Sequence, residues 1–143
     1  MKPRFRAWDV LAEKMIDEIL MISFVRKEII GKFSDGSTSV PLKFEDERNG
    51  EDVILMQSTG LKDKNGKEIF DGDIVRTTRF LGRADEIGGF YEYEKDYVGV
   101  VKVLEGSWVI DTGIVAVRLW SEIDESEVLG NIYENPELLE DKK

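Results

Sequence analysis

The chain of 143 residues has no cysteine, no histidine and only three prolines. Without cysteine there is no disulfide framework, no thiolate nucleophile and no sulfur ligand for a metal, which suits a reducing cytoplasm. Without histidine, the commonest general base and the commonest metal ligand are both missing. No P-loop, GxGxxG or GxSxG pattern occurs. The longest apolar run, Ile19 to Val25, is broken by Ser23 and is far too short to cross a bilayer. Nothing at the start reads as a signal peptide. A cytoplasmic protein with no membrane association and no cofactor is therefore expected. Most enzyme classes drop out with the missing side chains, and the chain is not expected to be an enzyme. A hydrolase or nuclease using carboxylates and a divalent metal stays open, because such residues meet in space rather than in sequence.

What is present in excess is acid. The net charge is −10, and residues 98–143 hold 4 basic against 10 acidic side chains. Such a surface repels phosphates, so direct nucleic-acid binding is not expected. The charge serves solubility, or mimicry of a nucleic acid by an acidic protein. Hydrophobic residues make up 41%, too many for a disordered chain. The length fits one or two small domains.

The stretch around which the chain is organised is 57–75, QSTGLKDKNGKEIFDGDIV. Asn65-Gly66 is a hairpin signal, read as a two-residue type I′ turn with positive φ at both positions. A short strand then leads to a second turn at Asp71-Gly72-Asp73, and Ile74-Val75 open a new strand. Asp63, Asn65, Glu68, Asp71 and Asp73 crowd oxygen atoms that would suit Ca²⁺. The EF-hand spacing fails, however, and turn chemistry is the preferred reading; no metal is expected. The run TGLKDKNGKEIFDGDIV resembles the signature of the YopX family, small proteins of phages and prophages. Phe5-Arg6-Ala7-Trp8-Asp9 near the start and Val128 to Pro136 near the end agree with it, in the family's order. Residues 26–50 and 78–97 carry no match. The resemblance implies a β-rich fold with an SH3-like C-terminal half, a bacterial host, and no established activity.

Elsewhere the pattern is of short strands and tight turns. Arg4–Asp9 alternates, with Phe5 and Ala7 on one side and Arg6 and Trp8 on the other; Arg6 and Trp8 would suit a stacking platform or a structural cation–π pair. Met15–Phe24 is ambiguous. Ile16, Ile19, Leu20 and Phe24 fit a helical stripe, while Ile19–Val25 also reads as a buried strand; the resemblance favours strands. Asp35-Gly36 and Asn49-Gly50 mark turns, Pro41 stops or edges its strand, and Val53–Met56 reads as a short strand buried on both sides. Residues 80–97 hold five aromatics around Gly88-Gly89, either a long binding loop or a short half-buried strand. Tyr97–Leu104 is a strand with Val98, Val100 and Val103 inward. Glu105-Gly106 and Thr112-Gly113 are turns, and Ile114–Trp120 puts Val115, Val117 and Leu119 on one face. Asn135-Pro136 reads as a helix N-cap and first position.

The expected fold is mainly β: a small β-rich region over 1–56, α+β if Met15–Phe24 is a helix, then an SH3-like barrel over 57–143. The expected function is a phage- or prophage-encoded accessory protein, a non-catalytic module that binds a protein partner. Candidate binding residues are Phe80, Arg83, Phe90, Tyr91, Tyr93, Arg6 and Trp8. A homo-oligomer is expected as well, because neither Thr38–Phe44 nor Val53–Met56 is blunted by charge as a sheet edge should be.

Overall fold

Apolar and β-branched side chains alternating between turn residues set the architecture. The computed structural model describes residues 4–45, 51–84, 88–119 and 125–140, with backbone alone at 81–84, 90, 91 and 140. It is mainly β, with eleven strands and one helical turn among the described residues. Two compact units divide it, Met1–Ser58 and Thr59–Lys143.

The first unit contains β1 (Phe5–Asp9), β2 (Lys14–Ser23), β3 (Glu28–Phe33), β4 (Leu42–Lys43) and the start of β5 (Val53–Lys62). They lie in the order β4-β3-β2-β1-β5, all antiparallel. Ala7, Ile16, Ile29, Phe44 and Val53 form the core. Strand, not helix, is the outcome at Met15–Phe24, and β2 explains the ambiguity. Its register against β3 shifts between Ile16 and Glu18 and again between Ile19 and Met21. Each bulge inserts one residue, so the side chains packed on the core are Ile16, Ile19 and Ile22. A spacing of three imitates a helical stripe. β5 is longer than its apolar run suggests: its first half pairs with β1 and its far end with β6 (Glu68–Phe70). Over Val53–Met56 its partner is β1, from Asp9↔Val53 to Arg6↔Met56. Of the run, Val53 and Met56 are buried, Ile54 and Leu55 half-buried. The expected strand Thr38–Phe44 shrinks to two residues beyond Pro41, with one isolated bridge from Thr38 to Lys32. The Asn49-Gly50 turn lies outside the described residues.

The second unit pairs the end of β5 with β6. Its other sheet has the order β10-β9-β8-β7-β11, from β7 (Asp73–Ala84), β8 (Phe90–Leu104), β9 (Ser107–Asp111), β10 (Ala116–Arg118) and β11 (Glu125–Asn131). Ile69, Val75, Val101, Ile110 and Leu119 fill its core. No β10–β11 pairing occurs among the described residues, and the expected barrel closure is not seen among them. The inward face of β8 is also one residue out of phase with expectation. Val101 is fully buried and Val98 and Val100 are half-buried, while Val103 is exposed. Val117 and Leu119 are buried as anticipated, but Val115 lies in the turn at 49% exposure. Glu105 and Gly106 both have positive φ, 50° and 80°, between the paired residues Leu104 and Ser107. The type I′ turn is here.

Candidate functional site

The signature stretch is the first candidate, and its geometry is a scaffold. Asp63 is buried, and its Oδ1 accepts the N–H groups of Asn65 (2.9 Å) and Lys67 (2.8 Å). Its Oδ2 accepts the N–H of Val128 at 2.9 Å. Burial opposes ionisation of this carboxyl, but the N–H groups of Val128, Lys67 and Asn65, helped by the Lys67 charge, outweigh it and hold the carboxyl below its usual range. Asn65 does not take positive φ; Gly66 alone does, at 82°. The Gly66 N–H bonds the Asp63 carbonyl at 2.9 Å, so the turn is a three-residue loop closed by a left-handed glycine rather than type I′. Ten residues on, Asp73 is fully buried and accepts the Phe70 N–H at 2.8 Å.

The C-terminal piece of the resemblance meets this stretch. Lys64 N–H bonds the Ser126 carbonyl at 2.8 Å, Ile132 N–H bonds the Gly72 carbonyl at 3.0 Å, and Asn131 pairs with Asp73 across the sheet. Asn131 Oδ1 accepts from Tyr133 and Glu134 N–H at 3.0 and 2.8 Å. Asn135 does not cap the helical turn α1 (Glu137–Glu140) with its side chain; Oδ1 turns back to the Asn131 N–H at 3.3 Å. The oxygen atoms that suggested calcium thus serve turns, at least at Asp63 and Asp73. Among the described residues no group of three acidic side chains is placed to hold a metal ion.

The second candidate is residues 80–97. Its residues 80–84 and 90–97 are strand, the ends of β7 and β8, which pair from Ile74↔Val100 to Ala84↔Phe90. β11 accompanies β7 only to Thr78, and β9 accompanies β8 only from Val100. Beyond Thr78 the two strands therefore pair with each other and with no third strand among the described residues. This two-stranded arm is the part of the sheet least supported by neighbours. Side chains alternate across it. Phe80, 43% exposed, stands opposite Glu94 and shares its side with Glu92 and Asp96. Tyr93, 40% exposed, lies on the other side with Lys95 and Tyr97. There the Arg79 guanidinium and the Lys95 ammonium sit 5.9 and 5.3 Å from the Tyr97 ring. Arg79 also donates to the Arg118 carbonyl at 2.9 Å.

Of the sequence candidates, Phe80, Arg83, Phe90, Tyr91 and Tyr93 all fall on this arm. The side chains of Arg83, Phe90 and Tyr91 lie outside the described residues. Arg6 and Trp8 belong to the first unit. Arg6 is 8% exposed, Trp8 is half-buried, and both are engaged by neighbours, so they form no open stacking platform. Sequence reasoning missed Glu92, Glu94 and Asp96. Their signal was the strict alternation of acid with Tyr93, Lys95 and Tyr97, which is the mark of an exposed strand.

The family model described as YopX protein matches residues 4–140, nearly the whole chain. The chain belongs to the YopX family. This YopX protein also resembles a solved structure, the crystal structure of protein EF1440 from Enterococcus faecalis. The two are 27% identical, with a TM-score of 0.55 over 97% of this chain and 99% of that one. No curated protein matches. Within the stretches that carry the resemblance, Asp63, Asp73 and Asn131 accept backbone N–H groups in turns, and Asp63 and Gly72 tie those turns to β11 and the residues after it.

Proposed function

We propose that this YopX protein is a phage- or prophage-encoded accessory protein of the bacterial cytoplasm that acts as a non-catalytic interaction module, with the β7–β8 arm as its recognition element. The arm carries this reading. An unsupported ribbon with exposed Phe80 and Tyr93 costs stability, and aromatic side chains at a protrusion suit protein recognition. The body of the second unit serves as an SH3-like scaffold from which the arm projects. Self-association through other surfaces accompanies this role.

The test replaces residues 80–94 by Asn-Gly, joining the paired positions Arg79 and Lys95 through a two-residue turn. Circular dichroism and a thermal melt check that the shortened protein folds. Immobilised on resin with host lysate, the full chain is expected to retain a partner that the shortened one loses. Identical captured sets would remove the arm from recognition. The competing reading, a metal-dependent hydrolase, requires a melting midpoint that rises with Mg²⁺, Mn²⁺ or Ca²⁺, since an ion bound to the folded state stabilises it. No rise is expected.

A further inference from the structure

Resting on the reading of the arm as the recognition element, we infer that the β8 edge over Glu92–Asp96 takes up an extended lysine- or arginine-bearing segment of a partner protein as an added strand. The backbone supplies the first reason. β7 occupies one side of this stretch, and no strand lies on the other among the described residues. Its outward N–H and C=O groups are a template for main-chain pairing.

Charge supplies the second. Glu92, Glu94 and Asp96 occupy alternate positions of β8, so all three project from one side of the ribbon, about 6.8 Å apart. Glu92 and Glu94 are exposed and make no ion pair among the described residues. Asp96 accepts the Thr78 hydroxyl at 2.7 Å and stays exposed. Phe80, across from Glu94, adds apolar surface on the same side. A strand laid against this edge brings its side chains beside these carboxylates, where opposite charges attract and like charges repel. The matching segment carries basic residues at every second position on that side. The opposite side asks for no such charge, because Lys95 and Arg79 are already stacked at Tyr97.

A second copy of the chain is a poor occupant of the same edge. In antiparallel pairing, opposed residues share a side, so Glu92, Glu94 and Asp96 of one copy would face the same carboxylates of the other. Nucleic acid is repelled by these charges.

The probe is a labelled peptide, Thr-Lys-Val-Lys-Val-Lys-Thr, against the same composition with its lysines grouped, Lys-Lys-Lys-Val-Thr-Val-Thr. Fluorescence anisotropy with the full-length protein at low salt reads both. The alternating peptide is expected to bind at least about tenfold more tightly. Methylating its backbone nitrogens at alternate residues is expected to abolish binding. Glu92→Lys with Glu94→Lys is expected to weaken it at least about tenfold, while the melting midpoint stays put because both side chains are exposed. Equal binding of the two peptides, or indifference to methylation or to the two substitutions, overturns the inference. If arm shortening abolishes capture of a partner from lysate but the alternating peptide neither binds nor competes, the arm keeps its recognition role and this inference fails. If capture does not depend on the arm, the earlier reading fails instead.

Discussion

Asp63 is buried, yet both of its oxygens are in use, and its carboxylate ties the signature turn to β11. Asp63→Ala leaves three N–H groups without their acceptor. A loss of about 1.5–3 kcal/mol is expected in denaturant melts at neutral pH. The sign of the pH dependence follows from the depressed folded-state pKa. The unfolded chain binds this proton more readily, so the contribution is full above the unfolded pKa and is lost as pH falls through the folded one. Asp63→Asn is expected to flatten that acid-side decline; an unchanged slope would remove the carboxylate from the account. Two glycines make separate demands. Gly66 needs positive φ, so Gly66→Val is expected to cost about 1–3 kcal/mol although nothing crowds the position. Gly99 needs absence of bulk. A Cβ there would run into the Asp111 carbonyl on β9, so Gly99→Ala is expected to cost about 1–3 kcal/mol by overpacking. A neutral Gly99→Ala in the same melts would show that the β8–β9 contact yields.

At the scale of elements, turn chemistry was legible and strand phase was not. The strand-turn-strand succession over 57–75 follows from Asn65-Gly66, Asp71-Gly72 and the β-branched pair Ile74-Val75. The kind of turn did not follow, because it depends on the Asp63 side chain accepting two N–H groups within the loop. Type I′ geometry went instead to Glu105-Gly106, where a glutamate accepts positive φ. In β2 the two bulges turn a period of two into a spacing of three, and no local residue preference announces a bulge. The consequence is measurable. In a regular strand Leu20 would share the inward side with Ile16 and Ile22, whereas here it is 49% exposed and Ile19 packs on the core. Leu20→Lys is expected within about 0.5 kcal/mol of the parent, and Ile19→Ala is expected to cost about 1–2 kcal/mol as a partly buried side chain. The reverse order would mean that β2 pairs without bulges. Of the candidate binding residues, those on the arm were found through their aromatic content. That they form a ribbon was legible only in the alternation from Glu92 to Tyr97.

For the whole molecule, two cores were foreseeable from the density of apolar strands, but the place of β5 was not. Val53–Met56 says only that the strand is apolar; its place depends on β1, which pairs with it from far along the chain, while β6 follows in the hairpin at its other end. Exposed apolar side chains add a second motive for self-association. In the first unit Leu20, Met21, Phe24, Val25 and Val40 are each about half exposed or more, and covering such side chains favours assembly. The net charge of −10 opposes it. Repulsion between exposed charges is screened beyond about 8 Å at physiological salt and beyond about 3 Å at 1 M, whereas apolar burial survives screening. The sign is then fixed: assembly strengthens with salt. Light scattering at micromolar concentration is expected to give a mass near one chain, 16.4 kDa, at low salt and a higher one as salt rises. Met21→Lys is expected to hold the mass down, since it places a charge at one of these exposed apolar positions. Glu92→Lys with Glu94→Lys is expected to leave the mass unchanged, because the arm edge is not the surface that self-associates. A mass of 16.4 kDa at every salt and concentration would rule out the homo-oligomer and leave these apolar side chains without a role in assembly.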